Sequence, residues 1–526
     1  MTNKYLYFTL LALLGVKAEA IAQDTQRKDA PRLVISIAID QLRSDYLEAF
    51  SPLYTEGGLK RLMRQGRVYV NGTYPFQPVD RASAVAAMTT GVTPYYNSIV
   101  GARWLNRETL RPIGCVDDAK APGLVTSETA SPSGISTSTI ADELKVATNG
   151  GALVFSIAPY RDAAVLAGGH AADGAFWIDD QYGQWCSSQY YYASVPQWLY
   201  AYNGLRAPNM KIDNTTWEPA NVMVTSFDYF VQSEQSKPFK HKFSGERRFG
   251  DYKTSGLINS DVTDLAASCI ANTGLGIDRV TDLLCLTYYA GSFGHQALTD
   301  CQMELLDTYV RLDREIERLF IYTEQNIGLD NVLFVVTSTG YCDEQPADYA
   351  KYRVPSGTFY MSRTAGLLNM YFGALYGQGN YVETTFRNQF FLNHKLFETK
   401  RISISEATSR AQEMLAMMSG VRNVYTSVQL LTDQAEQLQK IRNGYSPERS
   451  GDLLIETAPG WRILNEDTQE SEMPNTTYTQ FPIFIFGAGI SPERIDTPVS
   501  TTRIAPTIAR CIRIRAPNAC TSEPLF

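Results

Sequence analysis

Two strand ends carry the residues whose types and spacing could do chemistry. Asp40 closes the apolar run Leu33–Ile39. Ser338, Thr339, Gly340 and Tyr341 follow the apolar run Val332–Thr337, with Asp343 and Glu344 just beyond. In open α/β sheets such C-terminal strand edges are where ligands and catalytic groups gather. A carboxylate there suits a divalent cation, and a hydroxyl beside it suits attack on an ester. Asp80, Arg81 and Ser83 stand close together in "VDRASAVAAMTTG". Asp300, Glu304, Asp343 and Glu344 are the acids from which an oxygen-rich Ca²⁺ or Mg²⁺ site could be made, although most such acids are simply solvated. Imidazoles are scarce: His170, His241, His295 and His394 are all there are, which leaves little from which to build a His-rich zinc centre.

The elements that must position these groups read as strands alternating with helices. Apolar strands are predicted at 33–39, 152–157, 283–289, 332–337 and 483–487. "SDYLEAF" and "GGLKRLMRQG" read as helices after the first strand, and "MELLDTYVRLDREIERLFIYTEQN" as an amphipathic helix before the fourth. The alternation implies an α/β fold with a mostly parallel central sheet covered by helices on both faces. Stretches near 160–280 and 345–470, rich in Tyr, Gly, Asn and Ser, read as insertions or a cap over the strand edge.

Composition excludes several classes. Hydrophobic residues at 44% and charged residues at 19% describe a globular chain. With a net charge of −8 and no basic stripe, nucleic acid is not an expected partner. Residues 1–22, with Lys4, "YLYFTLLALLGV" and "AEAIAQ", read as a cleaved signal peptide, so residues 23–526 are expected as one exported, periplasmic domain without a transmembrane segment. The 8 Cys fit an oxidising compartment; Cys511 with Cys520, and Cys115 with Cys186, are candidate pairs, while Cys285 reads as a buried thiol.

Several ordered segments resemble the alkaline phosphatase superfamily, within its type I phosphodiesterase/nucleotide pyrophosphatase group and closest to the single-chain periplasmic enzymes of Bacteroidota. They are "VISIAIDQLRSDYLEAF", "GGLKRLMRQG", "TGVTPYYNSIVGARW", "SIAPYRDAAVLAGGHAADGAFWIDDQYGQW", "GSFGHQALTDCQMELLDTYVRLDREIERL" and "FPIFIFGAGI" with the C-terminal run. The resemblance implies an alkaline-phosphatase-like three-layer sandwich with large cap insertions. It also implies two zinc ions on Asp and His side chains and a Thr or Ser nucleophile.

Set against that pattern, the site is depleted. Asp40 and His295 match metal ligands, whereas Gly291, Thr339, Gly340 and Gln480 stand where four other ligands are implied. Counting back from the shared "TG" places Arg81 at the nucleophile, and a guanidinium cannot attack phosphorus. Ser83 or Asp80 would serve only in a shifted register. Ala102 replaces an implied Asn, and Pro159 with Arg161 replace a Lys and an Arg. His170 falls in a structural turn of the family. Arg81, beside Asp80, is expected to fill the vacated pocket and to reach Asp40.

The expectation is therefore a degenerate enzyme with no metal or other cofactor, acting as a binding or scaffold component with an envelope protein partner. Two alternatives stay open. One is a working zinc-dependent phosphomonoesterase or phosphodiesterase using Asp40, His295 and Asp343 or Glu344; the other is an anion-binding protein using Arg81 and Arg161.

Overall fold

Every residue of the first strand, β1 (Leu33–Asp40), is buried, as a strand covered on both faces must be. The computed structural model describes residues 29–227, 238–297, 300–342, 353–472 and 479–526. The further elements used below are β2 (Arg67–Thr73), α1 (Arg81–Thr90), β3 (Val154–Ile157), α2 (Arg161–Gly168), β4 (Gly174–Ile178) and β5 (Trp185–Ser188). They continue with α3 (Ile258–Thr273), β6 (Asp282–Tyr289), α4 (Gln302–Asn326), β7 (Val332–Ser338), α5 (Met361–Tyr376), β8 (Phe481–Gly487) and α6 (Ile504–Ile512).

β1 lies between β6 and β7, both parallel to it, and β3 and β4 extend the parallel run. All five strands expected from sequence are present. The sheet is nonetheless mixed, because β8 runs antiparallel to both β7 and β2, and β5 antiparallel to β4. An antiparallel edge on a parallel core is common in large sheets.

The two faces follow from the period of a strand. Leu33, Ile35, Ile37 and Ile39 pack with α3 and α4 in one core. Val34 and Ala38 pack with α1, α2 and α6 in the other. Ala82, Ala84, Ala86 and Ala87 make α1 thin on its buried side, so it sits close to the sheet. Asp80 and Ser83 cap α1 reciprocally, and Gly91 at φ 70° ends it in the left-handed conformation that glycine adopts without strain. β4 and α3 belong to the main layers, so the expected insertion near 160–280 is narrower than its sequence composition suggested.

Residues 357–465 carry their own core, built from Phe359, Leu368, Phe372, Tyr381 and Phe397 among others, behind a four-stranded sheet. Polar latches join this cap to the body. Arg107 donates to both oxygens of Asp452 at 3.2 and 3.3 Å and to the Ser450 carbonyl at 2.6 Å. Arg449 donates to the carbonyls of Ser98 at 2.7 Å and Gly134 at 2.8 Å.

The expected disulfides are not formed: none of the eight cysteines is bridged. The Cys186 thiol instead donates to the Trp177 carbonyl at 3.2 Å. No helix of the described residues is long and apolar enough to cross a membrane. The predicted signal peptide lies outside the described residues.

Candidate active site

Three chain segments meet at Asp40. Parallel register carries the C-terminal ends of β1 and β7 to the same edge, so Thr339 comes beside Asp40. The Thr339 hydroxyl donates to Asp40 Oδ1 at 2.9 Å and accepts the Gln41 N–H at 2.9 Å. The other oxygen, Oδ2, accepts from Arg81 Nη1 at 3.3 Å and from the Tyr341 hydroxyl at 3.4 Å. Asp40 is 1% exposed.

Arg81 opens α1, and its guanidinium spans two carboxylates. Nε and Nη2 donate to the two oxygens of Asp162 at 3.0 and 3.2 Å, a bidentate fork. The Arg81 Cζ lies 3.7 Å from the centroid of the Tyr160 ring. Burial works against the Arg81 charge, but the carboxylates of Asp162 and Asp40 outweigh it and hold its pKa well above the ordinary value. Burial and the nearby Asp40 charge push the Tyr74 hydroxyl well above the usual phenol range.

The other residues singled out from sequence have different occupations. Asp80 does not pair with Arg81. It caps α1 through Ser83 and accepts the Ala102 N–H at 2.7 Å. Ser83 is fully buried and hydrogen-bonded to Asp80 Oδ1 at 2.8 Å, which ties up the substitute nucleophile. Arg161 points to Asp117 at 2.7 Å and to the Thr129 carbonyl at 2.7 Å. Pro159 supplies a carbonyl to Ile178, and Gln480, which is exposed, supplies one to Ser44. His295, which matches a metal ligand by position, is exposed on a turn at φ 57°. Asp343 and Glu344 lie outside the described residues.

The two glycines are filled positions. A Cβ on Gly291 would meet Gln41 Cδ at 2.8 Å and the Tyr289 hydroxyl at 2.6 Å. A Cβ on Gly340 would meet the Tyr74 ring and the Phe481 ring, each at 2.6 Å. Tyr74 is pinned there by donating to the Ser338 carbonyl at 2.9 Å. The remaining histidines are hydrogen-bonded to carboxylates: His170 with Asp142 at 2.9 Å, His241 with Glu304 at 2.7 Å and His394 with Asp452 at 2.8 Å. Glu304 is thereby committed outside the oxygen-rich set that its sequence position suggested. Among the described residues no group of three or more His, Cys, Asp or Glu side chains is arranged to hold a metal.

The model of the type I phosphodiesterase / nucleotide pyrophosphatase family matches residues 34–480. The chain belongs to that family. Within this phosphodiesterase family, it is 29% identical over 509 residues to alkaline phosphatase PhoV of Synechococcus elongatus, covering 93% of this chain and 91% of the relative. It is 24% identical over 534 residues to alkaline phosphatase PafA of Elizabethkingia meningoseptica, covering 98% of both chains. The crystal structure of PafA superposes with a TM-score of 0.80 at 22% identity, over 94% of this chain and 98% of that one, so the two share the fold.

The resemblance implies two zinc ions, and among the described residues the donors present do not fit that pair. One implied ligand position is closed by Gln41 and Tyr289 and another by Tyr74 and Phe481, while a guanidinium holds Asp40. Asp162 and Tyr160 are the site residues that sequence reasoning passed over. Asp162 sits beside Arg161 in "APYRDAAV", and only its partner across the fold marks it as different from an ordinary acid in a first helical turn.

Proposed function

We propose that this chain is a catalytically degenerate member of the phosphodiesterase family, exported to the cell envelope, where it acts as a binding or scaffold component. The observation that carries this reading is the closure of Gly291 and Gly340. A side chain at Gly340 would displace two aromatic rings, and one at Gly291 the ends of the Gln41 and Tyr289 side chains. A fold of this kind does not by itself confer the activity of its relatives. Export is inferred from residues 1–22 alone.

A surface for a partner is available on α5. Its outer face carries Leu367 at 39% exposure, Met370 at 66% and Leu375 at 48%, beside Gly366 and Ala374 and without a charge among them. Exposed apolar side chains gathered on one helix suit an interaction site. Elemental analysis of the purified protein is expected to find no tightly bound zinc. Neither p-nitrophenyl phosphate nor bis-p-nitrophenyl phosphate should turn over. Stoichiometric zinc with chelator-sensitive hydrolysis would overturn the proposal.

That outcome is the one demanded by the competing reading, a working metal-dependent phosphoesterase, which the names of the relatives favour. The anion-binding reading has less support, because the guanidiniums of Arg81 and Arg161 both already face carboxylates.

A further inference from the structure

We propose that the Arg81 pocket is a cation site selective for a planar guanidinium, filled permanently by the chain's own side chain. The inference rests on the reading that this pocket holds no metal, and adds what took the metal's place and which ligand the pocket is shaped for.

The three walls of the pocket specify that ligand. The Asp162 carboxylate presents both oxygens to Nε and Nη2 at 3.0 and 3.2 Å, the parallel geometry that a guanidinium fork fits and the single point charge of an ammonium does not. Asp40 Oδ2 takes Nη1 at 3.3 Å from a different direction, so the cation is held at two edges. The Tyr160 ring covers one face, 3.7 Å from Cζ. An aromatic face attracts an organic cation but offers no donor to a hydrated metal ion. The two carboxylates come from separate elements, the end of β1 and the first turn of α2, and Arg81 from the first turn of α1. One guanidinium therefore joins three segments. Its removal takes the counter-ion from two buried carboxylates, Asp40 keeping its hydroxyl donors, and breaking a buried ion pair is strongly destabilising.

The test is chemical rescue. Arg81→Ala should melt several degrees below the wild type in the full-length protein. Millimolar guanidinium chloride, far below denaturing concentration, should raise the melting temperature of Arg81→Ala and leave the wild type unchanged. Sodium chloride at matched ionic strength, magnesium chloride and zinc chloride should not reproduce the rise.

The proposal is overturned if Arg81→Ala melts with the wild type, if guanidinium shifts both proteins equally, or if magnesium or zinc stabilises the variant as well as guanidinium does. If Arg81→Ala accumulates only unfolded, its refolding yield with guanidinium against sodium chloride reads the same selectivity. Arg81→Lys then supplies the stability arm: its ammonium keeps the charge without the fork, so wild-type melting there would also overturn the proposal. Hydrolysis by the wild type would defeat the proposed function whatever the rescue shows. Absence of rescue would defeat the Arg81 assignment whatever the hydrolysis shows.

Discussion

Gly340 sits at φ 69° with two aromatic rings where its Cβ would be, so a side chain there requires its surroundings to move. Restoring the implied ligands one strand end at a time should therefore fail. The double variant Thr339→Asp/Gly340→His must push an imidazole into space held by Tyr74 and Phe481, and overpacking of this kind costs about 1–3 kcal/mol. We expect it to be less stable in urea than the wild type and to bind no zinc by elemental analysis. A variant that took up one zinc per chain would show that the aromatic rings yield. Thr339 loses its own role as well, since its hydroxyl links Asp40 to the Gln41 backbone.

Between elements, the cap stays on the body through charge-assisted contacts. Asp452 is buried and accepts from Arg107, from His394 Nε2 at 2.8 Å and from the Leu392 N–H at 2.8 Å. Arg107→Ala removes one donor and should cost about 1.5–3 kcal/mol, the range for hydrogen bonds to charged groups. Hydrogen exchange at the Leu392 amide should quicken in that variant; unchanged protection would mean the latch carries no load. The outer face of α5 calls for the opposite result. Leu367→Glu/Met370→Glu alters only exposed positions, so stability should stay within about 0.5 kcal/mol of wild type. Any partner that docks on that face should be lost from co-purification.

Across the whole molecule, one ion pair sets a pH dependence. His170 Nδ1 lies 2.9 Å from Asp142 Oδ2, and Asp142 also accepts the Thr139 and Ala171 N–H groups. The hydrogen bond to Asp142 raises the His170 pKa above 6.5, against the pull of burial. Burial works to raise the Asp142 pKa, but the His170 and Thr139 hydrogen bonds overcome it and bring it below 3.8. A raised histidine pKa stabilises the fold below its unfolded value, and that contribution is lost as pH rises through the folded value. A lowered carboxyl pKa stabilises above its unfolded value, and that contribution is lost as pH falls through the folded one. His170→Gln should therefore differ most from wild type in melts between about pH 4 and pH 6.5, and the difference should shrink at alkaline pH. With the imidazole partly solvated, its size should stay below about 1 kcal/mol. A pH-independent difference would assign His170 a packing role only.

Much of this protein was already legible in its chain. The strands at 33–39, 283–289 and 332–337 announce themselves because a strand buried on both faces must be apolar at every position. Asp40 and Thr339 were placed at one edge because parallel register follows from strand–helix alternation. That Gly291, Thr339, Gly340 and Gln480 stand where the resemblance implies metal ligands was read from the chain without coordinates. Tertiary structure alone decided what filled the gaps. Arg81 reaches Asp40 as expected, but its fork closes on Asp162, 81 residues away in the chain, and not on the neighbouring Asp80. His295, a matched ligand by position, faces solvent. Which carboxylate a guanidinium meets, and which ring enters a glycine's empty space, depend on side chains that packing brings together from distant segments. No local pattern in a sequence encodes such meetings.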